Sequence, residues 1–308
     1  MGLPPTPSVG LAGAMLEWES PQFREALLEW VEDVAGPVAQ LEQAKLRPWA
    51  TVWRVRTDKR MFYAKQNCPG QSFEAALLAL LTELAPSYVV PLTAVDVERG
   101  LLLTPDQGNV FGETVAEDDI DAWCRLVVRA MELARTVSPY AEDLSSTGGL
   151  TSCRVPEPAG DLVAECLDRL SALGLPDTLV HNDLHAHNAF DRSDGLIFFD
   201  FADAVLAHPL SGLLVPLEVL ADALGDPGPH DPRLRKVADA ALEVWSDFAP
   251  LRELRAALPD ALRLGRLGRA ESWARVAPDL TGADAEEFGS AADSWLARLP
   301  DPVPVRFD

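Results

Sequence analysis

The first hundred residues combine short apolar runs typical of β-strands with two segments in which apolar positions recur at helical spacing. The first segment extends from Phe23 to Val34, between Ser20-Pro21 and Gly36, and this pattern predicts a capped amphipathic helix. The second follows Ser72, a candidate N-cap. Runs of β-branched and aromatic residues predict strands at 38–44, 52–56, 61–65, 88–95 and 101–104. We therefore expect an antiparallel sheet packed with one key helix.

Helical spacing dominates the rest of the chain. A helix is predicted from Glu117, because acidic residues in a first turn complement the helix dipole and Ile120, Trp123 and Val127 share one face. A second helix is predicted at 161–173, and the chain is expected to be helical from about 213 to 299 apart from a break at 225–229. The predicted class is α+β, with an N-terminal lobe at 1–106 and a mostly helical C-terminal lobe at 107–308.

A short segment with strand character interrupts the helices between 178 and 201. Two apolar runs joined by the turn Ser193-Asp194-Gly195 predict a β-hairpin. The hairpin would bring Asn188, near its start, close to Asp200 at its end. An amide oxygen and a carboxylate are hard donors of the kind that Mg²⁺ prefers, with phosphate oxygens and water completing its octahedron.

Asp183 lies just before this hairpin and completes a pattern that suits phosphoryl transfer. That reaction needs metal ions on the phosphates, a cation beside them and a carboxylate that orients the attacking hydroxyl. The spacing Asp-x-x-x-x-Asn from Asp183 to Asn188 is that of a kinase catalytic loop, and an apolar strand ending in Asp200 follows it. Asp183 is therefore the candidate for the orienting carboxylate.

The loop resembles that of the aminoglycoside phosphotransferase and choline kinase-like family, within the protein-kinase-like superfamily. In that family the loop reads His-x-Asp-x-His-x-x-Asn, followed by an apolar-apolar-Asp-aromatic segment, and five positions here match it: His181, Asp183, His185, Asn188 and Asp200. The resemblance implies a bilobal protein-kinase-like fold with Asp183 as catalytic base and with Asn188 and Asp200 as magnesium ligands. It also implies that His181 and His185 support the loop.

The resemblance extends upstream to the nucleotide site. Lys65 ends the third predicted strand, where the family has the lysine that contacts the α and β phosphates, and Glu74 begins the next helix, where its ion-pair partner is expected. Residues 48–52 occupy the place of the phosphate-covering turn but contain no glycine, so Thr51 and nearby backbone N–H groups are candidates there.

The predicted connection between the lobes, residues 103–108, should lie beside the base of the nucleotide. Pro105 has no N–H group, so the donors that read the base are expected among its neighbours, and the candidates are Leu103, Thr104 and Asp106. Asp203 is a candidate for orienting the hairpin or for contacting substrate, with a local turn cap as an equal alternative.

The implied reaction is transfer of the γ-phosphate of ATP or GTP, with Mg²⁺, to a hydroxyl of a small molecule. An aminoglycoside or other antibiotic is the leading acceptor, which would connect the protein with antibiotic resistance. The alternatives are a metabolite hydroxyl, on an amino alcohol, a sugar or a nucleoside, and a catalytically silent nucleotide-binding scaffold. The scaffold is disfavoured because Lys65, Asp183, Asn188 and Asp200 are all present.

Composition narrows the choice of partners. The formal net charge of −22 opposes binding to nucleic acid and favours cationic ligands, although an acidic surface that only keeps the protein dispersed is an equal alternative. The 26 basic residues include only four lysines, among them Lys45 and Lys65. Four cysteines without C-x-x-C spacing, and an N-terminus without a basic and apolar leader, predict a cytoplasmic protein that does not enter the membrane. A zinc site built on His181, His185 and His187 is a weaker alternative.

Overall fold

The structure is a computed structural model and describes residues 17–151 and 160–308. The N-terminal residues 1–6, predicted to lack a leader, and Cys153 lie outside the described residues. The N-terminal part is built on a five-stranded antiparallel sheet with the strand order β1-β2-β3-β5-β4. Its strands are β1 (Val38–Arg47), β2 (Ala50–Thr57), β3 (Met61–Asn67), β4 (Ala94–Asp96) and β5 (Leu101–Pro105).

The strand predicted at 88–95 is largely wrong. Only its last residues belong to β4, and the preceding residues pair elsewhere: Val89 forms a parallel bridge with Phe198, and the N–H of Val90 donates to the Phe198 carbonyl at 3.0 Å. The apolar run therefore satisfies its backbone against the later hairpin and connects the two parts of the chain. Because pairing between distant segments decides this, the local pattern could not reveal it.

The first helix covers the outer face of the sheet, away from the helical part. Helix α1 (Pro21–Ala35) begins as predicted, with the Ser20 hydroxyl accepting from the N–H of Phe23 at 3.1 Å. Leu27 and Val31 of α1 pack with Trp53 and Val55 of β2 in one apolar cluster. Since side chains alternate along a strand, the residues between them face the opposite side, toward the helical part.

Helix α2 (Glu74–Leu84) packs between the sheet and the helical part, but it does not begin as the sequence suggested. The Ser72 hydroxyl donates to the carbonyl of Pro69 at 2.9 Å, within a single 3₁₀ turn, and no side chain caps α2. The helix therefore begins directly at Glu74, which is buried. Because the helix begins at this position, the carboxylate of Glu74 lies in the interior.

The C-terminal part is mostly helical, as predicted, which confirms the α+β class. Its helices are α3 (Ile120–Val137), α4 (Ala141–Ser145), α5 (Gly160–Ser171), α6 (Leu214–Ala223), α7 (Pro232–Glu243), α8 (Leu251–Val276), α9 (Gly282–Phe288) and α10 (Ala291–Ala297). Helix α3 begins three residues later than predicted because Asp119 caps it, accepting from the N–H groups of Asp121 and Ala122. In the described part of the chain, no helix is both long and apolar enough to cross a membrane.

The interruption between α5 and α6 forms the predicted hairpin. Strands β7 (Ala189–Arg192) and β8 (Gly195–Phe198) pair antiparallel, while β6 (Thr178–Val180) pairs with β9 (Val205–Ala207). The loop at 181–188 lies between these two ladders and is supported from below by α8. A methyl group on Gly268 of α8 would lie 2.8 Å from Oδ1 of Asn182, so only glycine allows the helix this close to the loop.

Candidate active site

A cleft of about 740 Å³ separates the sheet from the helical part. This volume suits a small-molecule ligand. Its upper wall carries the inward-facing residues of β2, β3 and β5, and its floor is the loop at 181–188 together with Asp200 and Asp203. The cleft is therefore the place where the residues predicted from both halves of the sequence can meet.

Lys65 connects the two walls of the cleft. Its Nζ lies 2.6 Å from Oε2 of Glu74 and 2.6 Å from Oδ1 of Asp200, which is 135 residues away in sequence. The other oxygen of Glu74, Oε1, accepts from the N–H of Phe201 at 2.8 Å. One buried carboxylate on α2 thus fixes both the lysine and the backbone that follows Asp200.

The electrostatics of this triad keep Lys65 and Asp200 charged. Burial alone would lower the pKa of Lys65, but Asp200 and Glu74 outweigh burial and hold it above its usual range. Burial likewise opposes ionisation of Asp200, while Lys65 more than compensates, so the pKa of Asp200 lies below its ordinary value. Asp183 acts against this lowering, and Lys45 contributes to it more weakly than Lys65.

Two residues of the floor have left-handed backbone. Asn182 has a φ of 64° and Asp200 a φ of 63°, a backbone conformation that residues other than glycine rarely adopt. They directly precede Asp183 and Phe201, so the strained positions flank the candidate catalytic carboxylate and the Glu74 contact. Strain of this kind persists only where surrounding contacts enforce it, and it clusters at functional sites.

The side chains of the loop hold one another in place. Nε2 of His181 lies 2.9 Å from the Phe199 carbonyl and therefore carries the proton that it donates there. Burial lowers the pKa of His181, which keeps the ring neutral. Nδ1 of His185 accepts from the N–H of His187 at 3.2 Å, and Nε2 of the same ring lies 3.6 Å from Oδ2 of Asp183.

The side-chain amide of Asn188 is oriented with its nitrogen toward the loop, where it donates hydrogen bonds. Nδ2 donates to the Asp183 carbonyl at 2.9 Å and lies 3.3 Å from Oδ2 of Asp183. The hairpin register pairs Ala189 with Phe198, so Asn188 stands beside Phe199, one residue from Asp200. Asn188 and Asp200 both line the cleft, as the hairpin predicted.

A cation that the sequence did not single out lies at the floor of the cleft. Nη1 of Arg269, on α8, donates to the Asn182 carbonyl at 2.8 Å and lies 3.2 Å from Oδ1 of Asp183 and 3.8 Å from Oδ2 of Asp203. Burial opposes ionisation of Asp183, but the His185 ring and Arg269 together hold its pKa below the usual range. Nothing local marks Arg269, one arginine of many in a helix 86 residues further along the chain.

Asp203 is held at the edge of the same group. Its Oδ1 accepts from the Ser272 hydroxyl and, at 3.3 Å, from Nε2 of Gln71. Burial raises the pKa of Asp203, and Arg269 offsets only part of this effect. Asp203 therefore connects α8 with the N-terminal part, and its side chain lines the cleft.

Three of the predicted nucleotide residues do not present their side chains to the cleft. Thr51 is fully buried on the outer face of the sheet, where its hydroxyl accepts from Nε2 of Gln43 at 3.1 Å. Leu103 packs in the cluster under α1. The reason is strand alternation: Lys65 is paired with Val52 and Leu102, so these two share its face and their neighbours face outward.

The third is Asp106, which lies in the connection after β5 and forms hydrogen bonds with both its backbone and its side chain. The N–H of Asp106 donates to the Met61 carbonyl at 3.0 Å, and its carboxylate accepts from the N–H of Gly108 at 3.0 Å. Both groups are thus used in local hydrogen bonds, and Asp106 does not line the cleft. Thr104 and Pro105 line the cleft, and Thr104 is the predicted base-side residue that the structure brings there.

The donors of the floor fit magnesium better than zinc. Asp200 and Asn188 offer hard oxygen atoms at the open end of one hairpin, which suits an ion that completes its shell with phosphate and water. Within 17–151 and 160–308, no group of three or more His, Cys, Asp and Glu side chains is arranged to hold a metal. The three histidines of the loop thus do not form the zinc site considered from the sequence.

Comparison with known proteins finds a similar fold among solved structures. No protein family and no curated protein sequence matches the chain. The chain is similar to an ethanolamine kinase from Plasmodium vivax, at 12% identity and a TM-score of 0.65, covering 92% of this chain and 90% of that one. It is also similar to a choline/ethanolamine kinase family protein from Mesorhizobium loti (18% identity, TM-score 0.53, 90% and 92% covered).

A third similar structure is the GDP complex of wild-type aminoglycoside 2'-phosphotransferase-IIIa, at 12% identity and a TM-score of 0.55, covering 91% of this chain and 98% of that one. Identities this low show a shared fold. The chain therefore has the protein-kinase-like fold of these small-molecule kinases, and the fold that the loop motif implied is confirmed.

Proposed function

We propose that the chain is a small-molecule kinase that transfers the γ-phosphate of ATP or GTP to a hydroxyl group. The observation that carries this proposal is the contact of Lys65 with both Glu74 and Asp200 across the cleft, above a floor that holds Asp183 and Asn188. Lys65 and Asp200 were predicted to bind nucleotide and metal, and they lie 135 residues apart in sequence. We place the boundary between the nucleotide lobe and the helical lobe at 106/107.

The donor would lie under the sheet, with its base near Thr104 and its phosphates at Lys65. Glu74 and Asp200 hold the ammonium group of Lys65 at the level of the phosphates. The GDP complex of the structurally similar aminoglycoside 2'-phosphotransferase-IIIa supports a nucleotide as the phosphate donor. Asn188 and Asp200 would hold Mg²⁺, which neutralises charge on the phosphates when bound.

Asp183 would orient the acceptor hydroxyl and accept its proton at a carboxylate oxygen. His185 and Arg269 hold this carboxylate ionised and fixed. A carboxylate of low pKa is a weak base. Its main contribution is therefore the alignment of the hydroxyl with the phosphorus atom, which suits a transition state with little bond formation to the nucleophile.

The acceptor would enter beside α8, between Asp183 and Trp273. The acidic net charge and the likeness to an aminoglycoside phosphotransferase support an aminoglycoside or another antibiotic as first candidate, with antibiotic resistance as the biological consequence.

A less cationic acceptor is the second candidate. Arg269 already pairs with Asp183 and approaches Asp203, so these two carboxylates are not free to bind an ammonium group. This arrangement favours an uncharged metabolite hydroxyl, as on a sugar or a nucleoside, over a polycation.

A panel of hydroxylated acceptors tests the proposal and separates its two forms. With ATP or GTP and Mg²⁺ present, we expect at least one acceptor class to accelerate release of nucleoside diphosphate well above the rate without acceptor. Aminoglycosides and other antibiotics form one arm; sugars, nucleosides and amino alcohols form the other. Mg-nucleotide binding without acceleration by any acceptor would favour the silent scaffold instead.

Removing the positive charge of Arg269 should change the pH dependence of the reaction. In Arg269→Gln the carboxylate of Asp183 loses a cation at 3.2 Å, so its pKa rises and the ionised form requires a higher pH. We expect the acidic limb of kcat/KM to move up by roughly one to three pH units, as for other carboxylates that lose a close cation. Arg255→Gln, on the same helix but paired with Asp239, is the control and should leave the limb in place. An unmoved limb in Arg269→Gln would contradict this role.

A further inference from the structure

We infer that Lys45 is a second phosphate-binding residue of the cleft, contacting the β- or γ-phosphate of the donor nucleotide from strand β1. This inference rests on the proposed function, because it assumes that a nucleoside triphosphate occupies the cleft. Lys45 would supply the positively charged group that the turn at 48–49 lacks.

A β-bulge turns Lys45 toward the cleft. In the ladder of β1 and β2, Gln43 pairs with Trp53 and Lys45 pairs with Val52, so two residues of β1 are matched by one residue of β2. Trp53 faces α1, so Gln43 lies on that outward face. In a regular ladder Lys45, two residues after Gln43, would share the outward face with it. Bulges occur beside active sites, where they re-aim a side chain in this way.

The bulge places Lys45 in one row with Lys65. Lys45 pairs with Val52, and Val52 pairs with Lys65, so the three residues lie side by side across the sheet on the cleft face. Neighbouring strands are ~4.8 Å apart, so the backbones of the two lysines stand roughly 10 Å from each other. Their ammonium groups can therefore flank a phosphate chain that lies under Val52.

The turn between β1 and β2 cannot hold phosphate as a glycine-rich loop does. It consists of Pro48 and Trp49 alone, since Arg47 already pairs with Ala50. Pro48 has no N–H group to donate, and with no glycine in the turn the backbone has no extended cradle of N–H groups. Anion binding at this end of the cleft must therefore come from a side chain.

Lys45 is the cation that remains available for this task. Among the described residues that line the cleft, the cations are Lys45, Lys65 and Arg269. Lys65 is held by Glu74 and Asp200, and Arg269 by the floor. Lys45 forms no ion pair with any residue of 17–151 or 160–308, although its charge is felt at Asp200. An exposed lysine on a cleft wall with no carboxylate of its own suits a polyanionic ligand.

Equilibrium binding of nucleotides with one, two and three phosphates tests the inference without an acceptor. The variants are Lys45→Met, which keeps most of the length of the side chain, Lys45→Arg, which keeps its charge, and the control Lys59→Met in the exposed turn between β2 and β3. For Lys45→Met we expect the Kd of Mg-ATP to rise at least tenfold, that of ADP to rise less and that of AMP to stay within twofold. Lys45→Arg should recover most of the ATP affinity, and Lys59→Met should match the parent.

The outcomes separate the inference from the proposed function. If the parent chain binds Mg-ATP and Lys45→Met binds it equally well, the inference is overturned while the proposed function stands. If Lys45→Met loses AMP affinity as much as ATP affinity, the substitution disturbs the cleft in general and the phosphate contact is likewise rejected. If the parent chain binds no nucleotide, the proposed function fails and this inference fails with it.

Discussion

Asp183→Asn is expected to lower kcat by roughly 10²–10⁴-fold, the usual contribution of a positioned acid or base. The change preserves the shape of the side chain and its contacts with Asn188 and His185, but removes the negative charge that would orient the acceptor hydroxyl. Because Asp183 would act on the acceptor, we expect the affinity for Mg-nucleotide to change little. Single-turnover transfer and nucleotide binding, measured on the same preparation, check both parts.

Asp191→Asn is the matched control for this variant. Asp191 lies on strand β7 of the same hairpin, pairs with Arg125 on the surface and does not line the cleft. It should turn over at the parental rate. Equal rates for Asp183→Asn and the parent would show that the carboxylate has been assigned the wrong role, and a matching loss in Asp191→Asn would point to a general effect on the hairpin.

Asp200→Asn should act mainly on binding of the metal-nucleotide complex. Asp200 is the carboxylate that would ligate Mg²⁺, and it also holds Lys65 at 2.6 Å, so its loss weakens two contacts with the phosphates. We expect the Kd of Mg-ATP to rise by roughly 10²-fold or more, since even outer contacts of a metal site contribute 10–100-fold. The fold should persist, because Glu74 still pairs with Lys65.

Thermal unfolding with and without Mg-ATP provides the measurement for Asp200→Asn. A ligand that binds only the folded state raises the unfolding midpoint as its saturation increases, so the parent should be stabilised and the variant should not at the same concentration. Asp194→Asn, in the turn of the hairpin, is the control and should be stabilised like the parent. If Mg-ATP raises the unfolding midpoint of Asp200→Asn as much as that of the parent, Asp200 does not bind the metal or support phosphate binding.

The loop motif and its hairpin could be predicted from sequence because their chemistry is local. Five residue types in a fixed order between His181 and Asp200 specify the geometry, and the turn at 193–195 fixes the register. Lys65 and Glu74 could be placed because each stands at the end of an element whose periodicity is clear. The structure brings all of them except the buried His181 together at the floor and the upper wall of one cleft.

Strand alternation explains why the side chains of two nucleotide candidates face away from the cleft. Once Lys65 is assigned to the cleft face, its partner on each neighbouring strand must share that face, and the residues next to those partners must face outward. Thr51 and Leu103 are such neighbours. The sequence pattern alone does not supply the register of the strands, and without the register the faces could not be assigned.

Arg269 and Lys45 owe their positions to contacts that the local pattern does not contain. Arg269 reaches Asp183 because Gly268 lets α8 pack closely against the loop, a contact between segments that are distant in sequence. Lys45 faces the cleft because one extra residue in β1 reverses its direction. Both effects depend on how distant elements pack or pair.

The most direct measurement is the fate of a labelled γ-phosphate. With γ-labelled ATP, Mg²⁺ and the acceptor that the panel identifies, the label should appear as a phosphate monoester on the acceptor at a rate that Asp183→Asn lowers by roughly 10²-fold or more. Label that appears only as inorganic phosphate, or that reaches the acceptor equally fast in Asp183→Asn, would contradict a hydroxyl kinase built on this cleft.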